Sequence, residues 1–247
     1  ASDQYGSDAL GGSIQFLSKV PTRAASGGRR IGGEIGLTAG SGQTNGGGHA
    51  LVSIGGPRLG VVGFASGRRV GLLRPGSGYD SHAAVTRFFG IRSDQLMDER
   101  LPDTGFEQRG ASVRANWTPG NLTSVVAAYT QTRQDRGDRY DQLLGGDGNL
   151  IAQLNDLSLD LALLRLERLD VGPFEHVSFS YAVNSQREER VNQGGQGSAT
   201  ATIGHEPERT TAHSLSGMFL RRASRRLSFT TGGDVQLSKA KGQTVVL

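Results

Sequence analysis

The residues best equipped for chemistry lie in one stretch, from 69 to 108. It carries Arg74, Tyr79, His82, Arg87, Phe88, Phe89 and Arg92. Guanidinium groups fork onto anions and stack on rings, so this mixture suits capture of an anionic or aromatic small molecule; a solvated loop is the competing reading. The five His residues (His49, His82, His176, His205, His213) show neither the i, i+4 spacing of a helical zinc site nor a Glu between two of them. His205-Glu206 has the donor types for a metal or metal chelate, and equally those of a solvated pair. Gly145-Gly146-Asp147-Gly148-Asn149 is compatible with a calcium turn and with a plain β-turn. There is no Gly-x-Ser-x-Gly elbow and no phosphate-binding Gly-rich loop. The expectation is a protein that binds without making or breaking bonds, with no enzyme activity and no cofactor.

Composition limits what can hold these residues. Of 247 residues 38 are Gly, about twice the usual share of roughly 7%, which argues against a helical bundle. With no Cys, a disulfide framework and Cys-ligated metal sites are excluded. The longest apolar stretch, Leu157 to Leu169, is interrupted by Asp160, Arg165 and Glu167, so it falls short of the roughly 18 residues of a spanning helix. A membrane β-barrel survives this test, because only every second residue of its strands faces lipid. The net charge of +4 is spread along the chain. Its one dense cluster, Arg221, Arg222, Arg225 and Arg226, reads as the mouth of a hairpin, and no nucleic-acid partner is expected.

Period-two patterning marks the positioning elements. Ala111, Val113, Ala115 and Trp117 alternate with Ser112, Arg114, Asn116 and Thr118. Val177, Phe179, Tyr181 and Val183 alternate with Ser178, Ser180, Ala182 and Asn184. Weaker alternation predicts strands over 31–39, 49–54, 59–68, 122–133, 211–220 and 226–237, while 157–168 fits a strand or an amphipathic helix. Long connections (40–48, 69–108, 134–156, 186–210) are expected to alternate with short ones (55–58, 118–121, 170–174 and around Ala223). Strands that start and stop at two membrane planes, with ligand-facing loops on one side, have a physical reason for that sorting. Trp117 beside a short turn fits an interfacial girdle, or else a sandwich core.

The N-terminal run Tyr5-Gly6-Ser7-Asp8-Ala9-Leu10-Gly11-Gly12-Ser13-Ile14-Gln15-Phe16-Leu17-Ser18-Lys19 reads as a Gly-punctuated turn entering a short strand. It resembles the end of the plug domain of TonB-dependent outer-membrane receptors, with Tyr5, Gly6, Gly11, Gly12, Ile14 and Lys19 at the motif positions and Gln15 where that family most often has Asn. The resemblance implies a plugged barrel in the bacterial cell outer membrane that imports a ferric siderophore, haem, cobalamin or saccharide. Its partners would be outer-membrane lipid, an extracellular small-molecule ligand and, through a further N-terminal region, the TonB complex. The expected fold is all-β, an antiparallel meander forming a partial, open outer-membrane β-barrel of about nine strands preceded by the last plug strand. The expected organisation is plug end over 1–22, linker over 23–30 and the first part of the barrel over 31–247, the chain being read as a fragment. An uncoupled structural or adhesive barrel and a secreted β-sandwich binding module are the alternatives.

Overall fold

The computed structural model describes residues 19–24, 27–42, 44–73, 104–137, 151–193, 200–224 and 226–246. Nine long strands follow one another as a single antiparallel meander: β1 (Arg30–Gly40), β2 (Asn45–Gly55), β3 (Leu59–Val70), β4 (Phe106–Gly120), β5 (Thr123–Asp135), β6 (Ile151–Val171), β7 (Phe174–Gln193), β8 (Ile203–Ser224) and β9 (Leu227–Gly242). A two-residue β10 (Val245–Val246) also pairs with β8, in the same register as β9. The interruption falls opposite Pro207, which has no N–H to offer the ladder; Pro207 still accepts from the Gln243 amide at 3.2 Å. β1 and β9 do not pair, so the sheet is open. This is the expected fold class, an all-β antiparallel meander forming part of an outer-membrane-type barrel wall. The preceding plug strand lies outside the described residues.

Cross-strand register sorts the side chains into two faces. One face carries Ile31, Ile35 and Leu37 of β1, Val52 and Ile54 of β2, Leu59 and Val61 of β3, and Val113, Ala115 and Trp117 of β4. It continues through Val125, Ala127 and Tyr129 to Ala162, Leu164 and Leu166, then to Phe179, Tyr181 and Val183, Leu215 and Phe219, and Val235 and Leu237. Across this belt no Asp, Glu, Lys or Arg occupies the apolar face in any of the nine strands. Glu34, Arg114, Arg165 and Asp234, at comparable positions along their strands, all point to the other face.

The apolar face is bare. Val113 is 45% exposed, Phe179 45% and Leu215 56%, and no second layer of strands lies over it among the described residues. A β-sandwich would bury this face, and among the described residues it is left open. Trp117 is 48% exposed, set between Leu59 and Val125 beside the β4–β5 turn, which is a rim position and not a core one.

The connections are sorted by end. At one end β2–β3, β4–β5, β6–β7 and β8–β9 are joined by two or three residues each. At the other, the joins span 41–44, 71–105, 136–150 and 194–202. Two expectations need correction, on the long joins, and one open alternative is settled, at 157–168. The second strand starts at Asn45, so the first join on the long side is four residues and not 40–48. The segment 157–168 is strand throughout, inside β6: Leu157, Leu159, Leu161 and Leu163 face the polar side while Leu164 and Leu166 face the apolar side, and leucines on both faces imitate a helical stripe. The joins expected over 134–156 and 186–210 are shorter, because β6, β7 and β8 run on for 21, 20 and 22 residues. Their extensions mix polar residues with scattered apolar ones such as Ala152, Leu154 and Val191, so no sustained hydrophobic period marks them. The Arg cluster does flank a hairpin mouth: Arg221 and Arg222 end β8, Arg226 precedes β9, and Arg222 pairs with Glu175 at 2.9 Å; Arg225 lies outside the described residues.

Candidate functional site

The polar face holds the groups able to meet a solute, and a segment of the chain itself is docked there. Residues Lys19 to Ala24 descend along the polar side of β1–β3 toward the short-turn end. They reverse at Gly27 (φ +32°) and Gly28 (φ +143°), conformations suited to glycine, and return as β1. The amide of Thr22 donates to Ser53 Oγ at 2.9 Å, and the two hydroxyls lie 3.0 Å apart. Ser53 is only 4% exposed, so Thr22 satisfies a buried hydroxyl. Lys19 Nζ pairs with Glu34, whose other oxygen lies 3.2 Å from His49 Nε2.

Glycine makes this approach possible. Gly55 and Gly60 stand opposite one another across β2 and β3. A Cβ on Gly55 would sit 1.6 Å from the Thr22 carbonyl oxygen, and one on Gly60 2.8 Å from Pro21 Cβ. Both glycines are therefore a seat for the segment of Pro21 and Thr22, and Pro21 is buried against them.

Farther toward the long joins, a groove of about 470 Å³ opens on the polar face, lined by Gln108, Thr132, Leu159, Gln186, Arg190 and Glu208 among others. Arg190 reaches Glu188 at 2.8 Å and Glu208 at 3.1 Å, while its Nε is buried without an acceptor among the described residues. The groove offers amide, hydroxyl and guanidinium donors beside an apolar strip of β6. It suits a polar solute, and the half-exposed ion pairs along it contribute only roughly 0–1 kcal/mol each to the sheet.

Of the residues singled out in the sequence, Lys19 is in the docked segment just described, and His49 joins it through Glu34. Tyr5, Gly6, Gly11, Gly12 and Ile14 lie outside the described residues, as do Arg74, Tyr79, His82, Arg87 and the Gly145–Asn149 turn. His205 and Glu206 do not form a chelating pair, because neighbours along a strand point to opposite faces: His205 meets Glu189 at 3.6 Å, and Glu206 stands opposite Arg190. Among the described residues no group of three His, Cys, Asp or Glu is arranged to hold a metal ion. The groove residues were missed in the sequence because 186–190 carries no alternation to announce a strand.

No family model matches this sequence, and no curated protein is similar to it in sequence. Solved structures do match in fold. One is the copper transporter OprC, superposed with a TM-score of 0.62 at 14% identity, over 92% of this chain and 31% of that one. This chain thus spans about a third of OprC's length, and at that identity the likeness shows the fold: an open antiparallel meander matching one section of a larger transporter.

Proposed function

We propose that this chain forms part of the wall of a transport barrel in the bacterial outer membrane, with the apolar face against hydrocarbon and the polar face lining a lumen. The carrying observation is the belt of apolar side chains free of charge across nine strands, while Glu34, Arg114, Arg165 and Asp234 turn the other way. A lipid-facing Arg or Lys at the midplane would cost roughly 2–4 kcal/mol, and a lumen-facing one is solvated. Short joins at one end and longer ones at the other agree with a periplasmic and an extracellular rim.

Within this reading, 1–22 is the end of a plug, 23–30 the linker and 31–247 barrel. The seat of Pro21 and Thr22 on Gly60, Gly55 and Ser53 supports a chain that leaves the lumen at the short-turn rim before entering β1. The resemblance of the N-terminal run then favours energised import through the TonB complex. Ferric siderophore, haem, cobalamin and saccharide are the cargo classes, and the fold likeness to a copper transporter adds copper. The long loop with Arg74, Tyr79, His82 and Arg87 is proposed as the outer capture surface.

The test is accumulation of each radiolabelled cargo class by cells producing the whole protein. Accumulation of one class that collapses on adding a protonophore is expected. Accumulation of none, or entry indifferent to the protonophore, would leave a structural or adhesive barrel as the better reading.

A further inference from the structure

Just beyond the apolar belt, toward the long joins, the same outward face carries a row of cations set directly opposite one another. Arg109 stands opposite Arg133, and two strands on Arg187 stands opposite Arg209, which stands opposite Lys241; Lys239 is opposite Thr211 on the same face. Like charges paired across strands repel and destabilise a sheet. On β4 and β5 the repulsion is cancelled internally, since Arg109 holds Asp135 and Arg133 holds Asp160, both at 3.0 Å.

On β7, β8 and β9 it is not. Arg187 has Asp156 at 4.0 Å, while among the described residues Arg209 donates to the Ser185 hydroxyl at 3.2 Å. Of the other acids on this face, Glu189 is taken by His205 at 3.6 Å and Asp160 by Arg133 at 3.0 Å. Asp156 and Asp160 do line one hollow with Arg187 and Arg209, which leaves Lys239 and Lys241 farthest from any carboxylate. Glu188 and Glu208 belong to the opposite face, with Arg190. Among the described residues no carboxylate pairs with Arg209, Lys239 or Lys241. Between β8 and β9 these side chains line a groove of about 360 Å³ with Thr211, His213 and Leu237. Its basic end points away from the belt and Leu237 lies at its apolar end.

We propose that this groove docks a membrane lipid whose headgroup carries a negatively charged phosphate, the phosphate between Arg209, Lys239 and Lys241 and an acyl chain along Leu237 and Val235. The proposal rests on the membrane reading of the apolar face. Position selects a lipid over a soluble anion: the cations sit where an apolar surface gives way to charge, which is where headgroups lie, and basic clusters there attract anionic lipid.

The test uses the full chain mixed with phosphatidylcholine vesicles containing spin-labelled phosphatidic acid. Flotation reports insertion, and the immobilised fraction of the spectrum reports selectivity over spin-labelled phosphatidylcholine. Selectivity of about fivefold or more is expected, falling to near one in the combined Arg187→Gln, Arg209→Gln, Lys239→Gln, Lys241→Gln variant. The milder Lys239→Gln, Lys241→Gln pair should lose most of it if the fourfold variant fails to assemble. Arg109→Gln with Arg133→Gln should leave it intact. Flotation with unchanged selectivity in the variants overturns this proposal alone, whereas failure to float overturns the membrane reading and the proposal with it. Displacement of the lipid by millimolar inorganic phosphate would make the site one for a free anion and overturn the lipid assignment.

Discussion

Val113→Arg is expected to destabilise the bilayer-assembled protein by roughly 2–4 kcal/mol, a shift of about thirty-fold to a thousand-fold in the folding equilibrium. Val113 is central on β4, between Trp117 at the short-turn rim and Arg109 at the other, with Gly63 and Tyr129 as its cross-strand neighbours. A Cβ on Gly63 would meet nothing within 4 Å, so the β3 side offers an introduced charge no partner. On the β5 side the nearest carboxylate, Asp160, is already engaged by Tyr129 and Arg133. Ser112→Arg, one residue away on the polar face, joins Arg114 there and is expected to cost under 1 kcal/mol. Guanidinium unfolding of both variants in lipid vesicles checks the contrast. Equal penalties would mean that the two faces meet the same solvent.

Gly55→Val is expected to detach the segment of Pro21 and Thr22 while leaving the sheet intact. The added Cβ would fall on the Thr22 carbonyl oxygen at 1.6 Å, a backbone atom that cannot swing aside as a side chain can. Losing the Thr22 amide and hydroxyl contacts to Ser53, at about 0.5–1.5 kcal/mol each, makes the segment open about fivefold to a hundredfold more often. Trypsin cleavage after Lys19 and Arg23 should accelerate by about that factor, with the far-ultraviolet β signal unchanged. Gly63→Val, where a side chain enters open space, is the control and should leave cleavage at the original rate. A Gly55→Val variant as resistant as the parent would show that the segment is held elsewhere.

What the sequence disclosed and what it hid follow from the same physics. Residues that face an apolar medium on one side and water on the other must alternate, so the faces of β1, β4 and β7 were readable from Ile31 to Ala39, Ala111 to Trp117 and Val177 to Val183. Trp117 was readable as a rim residue once its turn was recognised. In β6 the alternation is masked because leucine serves both the polar-face groove and the apolar belt.

The outer ends of β6, β7 and β8 were hidden for a different reason. There polar and apolar residues mix without a period, and runs such as Glu188-Glu189-Arg190 are held by cross-strand hydrogen bonds and ion pairs. A bulge between Asn155 and Ser158, with Asp156 at φ +51°, also shifts the register within β6. The seat of the docked segment could not be read at all: Gly55 and Gly60 look like turn glycines beside Pro57, and only the approach of Pro21 and Thr22 from a distant part of the chain reveals why neither tolerates a side chain.

The membrane assignment is tested most directly by a nitroxide accessibility scan through β4, positions 109 to 117, in the chain assembled in lipid vesicles. The absence of Cys from the sequence lets each introduced Cys be labelled alone. Labels at 111, 113, 115 and 117 should collide freely with oxygen dissolved in the acyl chains and poorly with a water-soluble nickel chelate, and labels at 110, 112, 114 and 116 should show the reverse. A profile without that period of two, with oxygen and nickel reaching both sets alike, would contradict the assignment of this face to hydrocarbon.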